Sequence, residues 1–400
     1  MRMTRKIRRA WLRGKPEWAK CYLLKQRLRR ETNIIPFEKK QTRLHKASRY
    51  LVAGVMLACL GIGNVTEAAI TAADGAPAGS VVTNGNITNV YNQQVNGGTA
   101  LNKFTDFDVS NGHVANLQLD AHDGFKAADR QINLVKNKIN VDGVVNAFKN
   151  GQIGGDIYFF SNNGMAVGAT GVINVGRLTV GTSTHAAEEI YKDYNAYDSK
   201  SAAQKKEFLI TDRETVFEAD GKSYYKEVIN NGTVQIDGAV NSIGDITLAA
   251  KEVLVGDTGS LNAGATFQNG GQVSAGATAD DYRSQIINLT GVNKAVGATA
   301  TSSGDIVLFG KDKVDFDGDA VTNGGNFNVN SEATISFTGN AENKATVVTD
   351  GGDIAINAVR GSTGATNVNV SNAVFDASDK SDNGTENGDV KILAETQTET

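Results

Sequence analysis

The sequence predicts an all-β protein, a right-handed parallel β-helix wound as a single-stranded solenoid, on three observations. Between residues 155 and 181 apolar residues alternate with small or polar ones, and each short run closes on Gly or Asn. That is the period and punctuation of short strands with tight corners, not of helices. A Gly-Asp-Ile/Val opening returns at Gly155, Gly244, Gly304, Gly352 and Gly388, and a chain that keeps re-entering one strand-turn unit builds a stack. Pro77 is the only proline after residue 68, which suits long hydrogen-bonded sheets.

The front of the chain has a different character. Residues 1–68 hold 17 Lys and Arg against 4 Asp and Glu, leaving 23 basic against 40 acidic residues in 69–400 of a chain whose net charge is −4. Tyr50 to Ile62 is apolar but too short to span a hydrocarbon layer about 30 Å thick comfortably. Thr66-Glu67-Ala68 then sets small residues at the positions a signal peptidase reads. Residues 1–68 therefore read as a long basic n-region plus a secretory signal peptide, cleaved after Ala68. A nucleic-acid arm is the other reading of the basic stretch, but it leads straight into an export core. Cys21, Cys59 and both tryptophans lie in this leader. The exported chain is thus free of cysteine, which excludes a disulfide framework and a thiolate metal site.

Residues 69–182 are expected to form a secretion domain that nucleates the β-helix. It opens on a polar approach with one strand near Ile87–Tyr91. Strands follow around 103–109, 115–119, 131–135 and 138–141, then the run at 155–181, with turn signals at Asn111-Gly112, Asp142-Gly143, Asn150-Gly151 and Asn163-Gly164. Residues 183–227 break the rhythm: Ala187, Ile190, Tyr191, Tyr194 and Tyr197 recur at helical spacing, predicting a short helical or irregular insertion laid against the stack. From 228 to 400 the strand-turn rhythm resumes, including a strand at 286–289. Val, Ile, Leu and Phe are expected inside and Thr, Asn, Asp and Lys outside, because a rung buries its apolar wedge only against its neighbours. The last residues come soon after a fresh strand opening, so the repeats are expected to be truncated there.

Two segments carry a resemblance. Leu101-Asn-Lys-Phe104-Thr-Asp-Phe107-Asp-Val109-Ser-Asn-Gly112 resembles the early strand of the secretion domain of filamentous haemagglutinins, proteins exported by two-partner secretion. Tyr158-Phe-Phe-Ser161-Asn162-Asn163-Gly164-Met165-Ala-Val167-Gly168 falls on that family's Asn-Pro-Asn-Gly-Ile motif, and Gly171-Val-Ile-Asn174-Val-Gly176-Arg-Leu178 resembles its continuation. Ser161 and Asn162 replace the family's first Asn and Pro, whereas Asn163 and Gly164 are kept. The combination is most similar to leukotoxin-like filamentous adhesins, over about residues 80–182. The resemblance implies a secretion motif comprising Phe104, Phe107, Val109, Asn163, Gly164, Met165, Gly168, Asn174 and Gly176. It implies as partners an outer-membrane transporter with periplasmic docking domains and a host or bacterial surface receptor, and a location outside the cell or on the outer membrane of a diderm bacterium.

Other chemistry is weakly represented. His45, His113, His122 and His185 are scattered without zinc-ligand spacing. Asp315-Phe-Asp317-Gly-Asp319 has its glycine at the fourth place and no Glu at the twelfth, so it reads as a solvated acidic corner rather than a calcium loop. No catalytic residue, cofactor site or metal site is expected. The rival readings are a passive surface or matrix protein and a β-helical polysaccharide-degrading enzyme; the latter needs paired carboxylates, or carboxylates clustered with a metal and basic residues, on one face, whereas basic residues are sparse in 228–400 and no face gathers them beside carboxylates. Net negative charge argues against nucleic acid.

Overall fold

A computed structural model describes residues 69–219, 222–267, 304–360, 366–379 and 387–396. The expected leader with its expected cleavage point at Ala68, and the strand expected at 286–289, lie outside these residues. The described chain is all-β with a parallel β-helix-like fold, in a 16-stranded sheet, an 11-stranded sheet and a separate 2-stranded sheet.

Three parallel ladders carry it. The first face stacks Thr99–Val109, Arg130–Val135, Asp156–Phe160, Arg177–Gly181, Ile246–Val255, Ile306–Phe316, Phe327–Ser331, Ile354–Arg360 and Val390–Thr396. The second face uses the far halves of the longest of these strands together with Ile139–Val141, Met165–Val167, Thr233–Ile236, Thr334–Thr338 and Asn367–Ser371. The third stacks Ile87–Tyr91, Val114–Gln118, Val144–Lys149, Val172–Val175, Ala239–Ser242, Ser260–Ala263, Asp319–Val321, Ala345–Val348 and Ala373–Asp376. The chain visits the faces in that order, turn after turn. The segments expected at 246–248 and 253–255 are one strand, which bends from the first face to the second.

The repeated Gly-Asp opening is the corner that leads into the first face. A Cβ on Gly304 would overlap the Gly244 carbonyl, and the same holds for Gly325 on Gly304, Gly352 on Gly325 and Gly388 on Gly352. Each glycine is required because the corner beneath leaves no room for a side chain. The next residue ties the rungs together. Asp245 Oδ1 accepts from Asp305 N at 3.0 Å, Asp305 Oδ1 from Asn326 N at 2.7 Å, Asn326 Oδ1 from Asp353 N and Asp353 Oδ1 from Asp389 N, both at 2.8 Å. The backbone N–H that begins each strand is thereby satisfied by the side chain of the preceding rung.

The interior is one continuous apolar cluster from Ile70 to Ala377. Phe104, Phe107 and Phe159 meet edge to face near its beginning, and Phe316, Phe327, Phe337 and Phe375 near its far end. Such offset geometry is what ring quadrupoles favour. One expectation is corrected: the inner side is not wholly aliphatic or aromatic. Asn102, Gln131 and Asn133 alternate in register with inward Phe104 and Val135 and are fully buried. They are tolerated because they bond to the preceding segment and to each other: Gln93 N donates to Asn102 Oδ1 at 2.8 Å, Gln131 Nε2 to Asn92 Oδ1 at 2.8 Å, and Asn102 Nδ2 to Asn133 Oδ1 at 3.4 Å.

The first turn is closed by antiparallel strands. Ala69–Ala72 and Gln94–Asn96 pair with Thr99–Val109, and Val81–Asn84 pairs with Ile87–Tyr91. The outer edge of the first parallel strand on each face is thereby paired rather than left as a template. At the last described turn Val370, Val374, Val390, Ile392 and Leu393 are exposed.

Candidate functional site

The residues implied by the secretion motif divide into an interior set and a corner set. Phe104, Phe107, Val109 and Met165 point into the core and are at most 1% exposed. They are packing residues, and the aromatic spacing that draws attention to them is the spacing of one strand bending between two faces.

Asn163 and Gly164 form the corner between Asp156–Phe160 and Met165–Val167. Gly164 N donates to Ser161 O at 2.9 Å, while Gly164 has φ +78° and a Cβ there would collide with the backbone of Thr233 on the next rung. Ser161 Oγ donates to Asn137 O at 2.7 Å and accepts from Asn163 N at 3.1 Å. Asn163 Nδ2 donates to Lys136 O at 3.0 Å. Ser161 therefore supplies the local side-chain-to-backbone bond that an Asn would make in a turn. Only Asn162 and Asn163 are solvent-exposed in this corner. Gly168 and Gly176 sit at the two other corners of the same turn, pressed against Asp142 and Gly155 of the rung before.

Asn174 belongs to a feature that sequence reading missed. Asn89, Asn116, Asn146, Asn174, Asn241 and Asn262 occupy one register position along the third face. Each amide donates to the Oδ1 of the preceding one: Asn116 to Asn89 at 3.2 Å, Asn146 to Asn116 at 3.3 Å, Asn174 to Asn146 at 2.9 Å, Asn241 to Asn174 at 3.0 Å and Asn262 to Asn241 at 2.9 Å. Strand alternation puts these side chains opposite the core-facing Ile173, Val175 and Val240, as expected of Asn. They are nonetheless buried from Asn116 to Asn262, because each is sealed by its neighbours in the stack. The sequence signal, from Asn116 onward, was an Asn after an apolar residue once per turn.

The insertion begins where the first face would pass to the second. It holds helices α1 (Thr184–Lys192), α2 (Tyr194–Asp198) and α3 (Ala202–Ile210), then an antiparallel hairpin of Thr211–Ala219 and Lys222–Ile229. A helical or irregular insertion over 183–227 was expected; the hairpin was not, since its charges mask the alternation of Val216, Tyr224 and Val228. The helices dock Ala186, Ala187, Ile190, Tyr197, Leu209 and Ile210 on the outer side of the first face, against Leu101, Ile132, Tyr158, Phe160, Ala249 and Phe309. Beneath these helices the first face is thus buried on both sides, which explains the near-continuous apolar run Ile157-Tyr-Phe-Phe160. Arg130 lies 3.5 Å over the Tyr194 ring, a cation–π contact at the edge of this seam. Burial raises the Tyr158 and Tyr197 phenols well above their ordinary range and, at the neighbouring corner, raises Asp156 against the opposing pull of Arg177, Arg130 and Lys149.

The hairpin stands on a built base. Asp212 is 7% exposed; its Oδ2 accepts from Thr184 Oγ1 at 2.9 Å and its Oδ1 from His185 N at 3.2 Å. The carboxylate thereby meets the positive end of α1, whose N-cap Ser183 also donates through Oγ to Thr211 O at 2.6 Å. Two open clefts flank the base. One, of about 300 Å³, is lined by Ile229, Asn231, Lys251, Lys311, Asp312, Glu332 and Ala333. The other, of about 260 Å³, is lined by His185, Lys200, Gln204, Glu207, Phe208, Thr211, Arg213 and Glu227. Lys311 pairs with Glu207 at 3.0 Å and Glu332 at 2.7 Å. Burial pulls its ammonium pKa down, but these hydrogen bonds outweigh that effect and raise it.

The Asp315–Asp319 segment is a corner. Asp315 faces Lys313 at 2.7 Å, Asp317 Oδ1 accepts from Thr338 Oγ1 at 2.6 Å, and Gly318 packs on the carbonyls of Gly256 and Gly259. Among the described residues no group of three or more His, Cys, Asp or Glu side chains is placed to hold a metal ion.

No protein-family model matches the chain, and no curated protein matches it. Among solved structures it is similar to a crystal structure of a filamentous hemagglutinin secretion domain. The two are 17% identical with a TM-score of 0.39, over 80% of this chain and 99% of that one.

Proposed function

We propose that this chain is an exported filamentous adhesin of the leukotoxin-like kind, with a secretion domain in 69–182 and a right-handed β-helical solenoid that carries adhesive surface away from a diderm cell. Its partners in this reading are an outer-membrane transporter with periplasmic docking domains and a protein or glycan receptor on another surface. It works by binding and catalyses nothing. The right hand follows from the general preference of crossovers between parallel strands of one sheet.

One observation carries the reading: a closed first turn from which three parallel ladders grow, rung upon rung. A chain without cysteines after its leader can cross a membrane unfolded, and each rung that reaches the far side finds the N–H and carbonyl groups of the preceding rung waiting. The side chains that the Asn163-Gly164 corner exposes to a partner are those of Asn162 and of the motif residue Asn163; the other motif residues are consumed by the core and the corners.

The test exchanges those two side chains and spares Gly164, whose replacement would break the corner. In cells exporting the chain through its transporter, Asn162→Lys combined with Asn163→Lys should leave the protein in the periplasm, while the purified variant keeps its β-type circular dichroism. Surface levels equal to the parent would remove this corner from transporter recognition. Binding of the exported protein to cells or glycans tests the adhesive half separately.

A further inference from the structure

We infer that the hairpin of Thr211–Ala219 and Lys222–Ile229 is a self-association site, at which the Lys222–Ile229 edge of one copy pairs antiparallel with the same edge of a second copy. The hairpin is the 2-stranded sheet of the fold, and it pairs with no other described strand. Tyr225 is 55% exposed, Tyr224 43% and Val216 58%. A lone two-stranded ribbon is marginal in water, yet this one is held at a fixed place by buried Asp212 and Ser183. A long free edge with apolar side chains is what natural sheets avoid unless it is used.

The charge pattern selects both the edge and the register. In a four-stranded sheet related by a two-fold axis normal to it, facing residues share a side of the sheet, so one residue must face its own copy. Centring on Tyr224 sets Lys222 against Lys226. Centring on Lys226 or Glu227 sets like charges face to face, which opposes pairing. Centring on Tyr225 has no such conflict: Tyr225 meets Tyr225, Tyr224 meets Lys226, Ser223 meets Glu227 and Lys222 meets Val228. The Tyr224–Lys226 pairs also allow a cation–π contact on each side of the axis. The other edge is less suited, because its register with the inner strand shifts between Thr215 and Phe217, and such a bulge twists an edge away from partners.

Sedimentation equilibrium of the full chain, at micromolar to near-millimolar concentration, reads the association directly. A dimer is expected, lost in Tyr225→Lys, weakened in Lys226→Ala and retained in Thr215→Lys. In a chain carrying Cys21→Ser and Cys59→Ser, Tyr225→Cys should give a disulfide-linked dimer on mild oxidation, since facing Cβ atoms lie about 5 Å apart. Ser223→Cys should not, because its own copy lies four residues along the strand. A chain that stays monomeric throughout overturns the inference. So does a dimer that survives Tyr225→Lys, or one that Thr215→Lys abolishes. Unchanged circular dichroism of each variant separates loss of pairing from loss of fold.

Discussion

Asn174 donates its side-chain amide to Asn146 at 2.9 Å and accepts that of Asn241 at 3.0 Å, with all three side chains buried. Each amide polarises the next, so the row behaves as a chain of hydrogen bonds rather than isolated pairs. Asn174→Ala would strand the acceptor of Asn146 and the donor of Asn241. An unsatisfied buried group costs about 1–3 kcal/mol, so this variant should lose about 2–4 kcal/mol in urea unfolding. Asn89→Ala, at the half-buried end of the row, removes the acceptor of Asn116 and of half-buried Gln118, where water can replace it, and should lose less than half as much. Equal losses would show that the row is not coupled through its middle.

The glycine stack predicts a different asymmetry. Gly352→Ala drives a Cβ into the Gly325 carbonyl, whereas a Cβ on Gly85 meets nothing within 4 Å although φ there is +60°. Gly85→Ala should register only the strain of a left-handed residue, about 1 kcal/mol. Gly352→Ala must also push adjacent rungs apart and should cost about 1–3 kcal/mol more. Thermal unfolding of the two variants side by side checks this, and hydrogen exchange should place the added opening in 325–358.

The second face was the most legible region of the sequence. Phe107-Asp-Val109, Ile139-Asn-Val141, Val234-Gln-Ile236 and Ile335-Ser-Phe337 are clean apolar-polar-apolar triplets with one wet side. The third face after residue 182 was almost invisible. Ala239-Val-Asn-Ser242, Ser260-Leu-Asn-Ala263 and Asp319-Ala-Val321 spend one or two apolar residues on the core, and their remaining stability comes from Asn pairing and neighbour stacking, which composition does not register. The first face misled in the opposite sense: Tyr158 and Phe160 face helices that arrive later in the chain, so the alternation there dissolves into an apolar run. Motif residues such as Phe107 and Gly164 were found because packing and corners constrain them tightly. The exposed hairpin was missed because its strands satisfy no core.

Asp156 predicts a pH response. Burial raises its carboxyl pKa in the folded chain, with Asp245 adding to the rise and Arg177, Arg130 and Lys149 opposing it. The unfolded chain therefore ionises this group first as pH rises, and folding loses stability between the unfolded and the folded pKa values. Asp156→Asn removes that penalty. The variant should melt higher than the parent at pH 7, and the gain should shrink towards zero below about pH 4, where the unfolded carboxyl is protonated too. Loss of the 4.0 Å approach to exposed Arg177 offsets little. A variant less stable than the parent at neutral pH would mean that the Arg177 pairing outweighs the burial.

Asp212 separates the mount of the hairpin from the rung stack beneath it. Its carboxylate holds Thr184 and His185 at the start of α1, and no ladder of the three faces passes through it. Asp212→Ala removes hydrogen bonds to a charged acceptor, worth about 1.5–3 kcal/mol each when buried, and leaves the α1 amide of His185 unpaired. The loss should stay local, because Ala186, Ile190 and Leu209 still dock on the first face. Limited proteolysis should then cut within 211–229 many times faster than in the parent, while the global melting temperature falls by only a few degrees. A collapse of the whole transition would mean that the insertion is needed to close the fourth turn, where the chain leaves Arg177–Gly181 and returns at Thr233–Ile236.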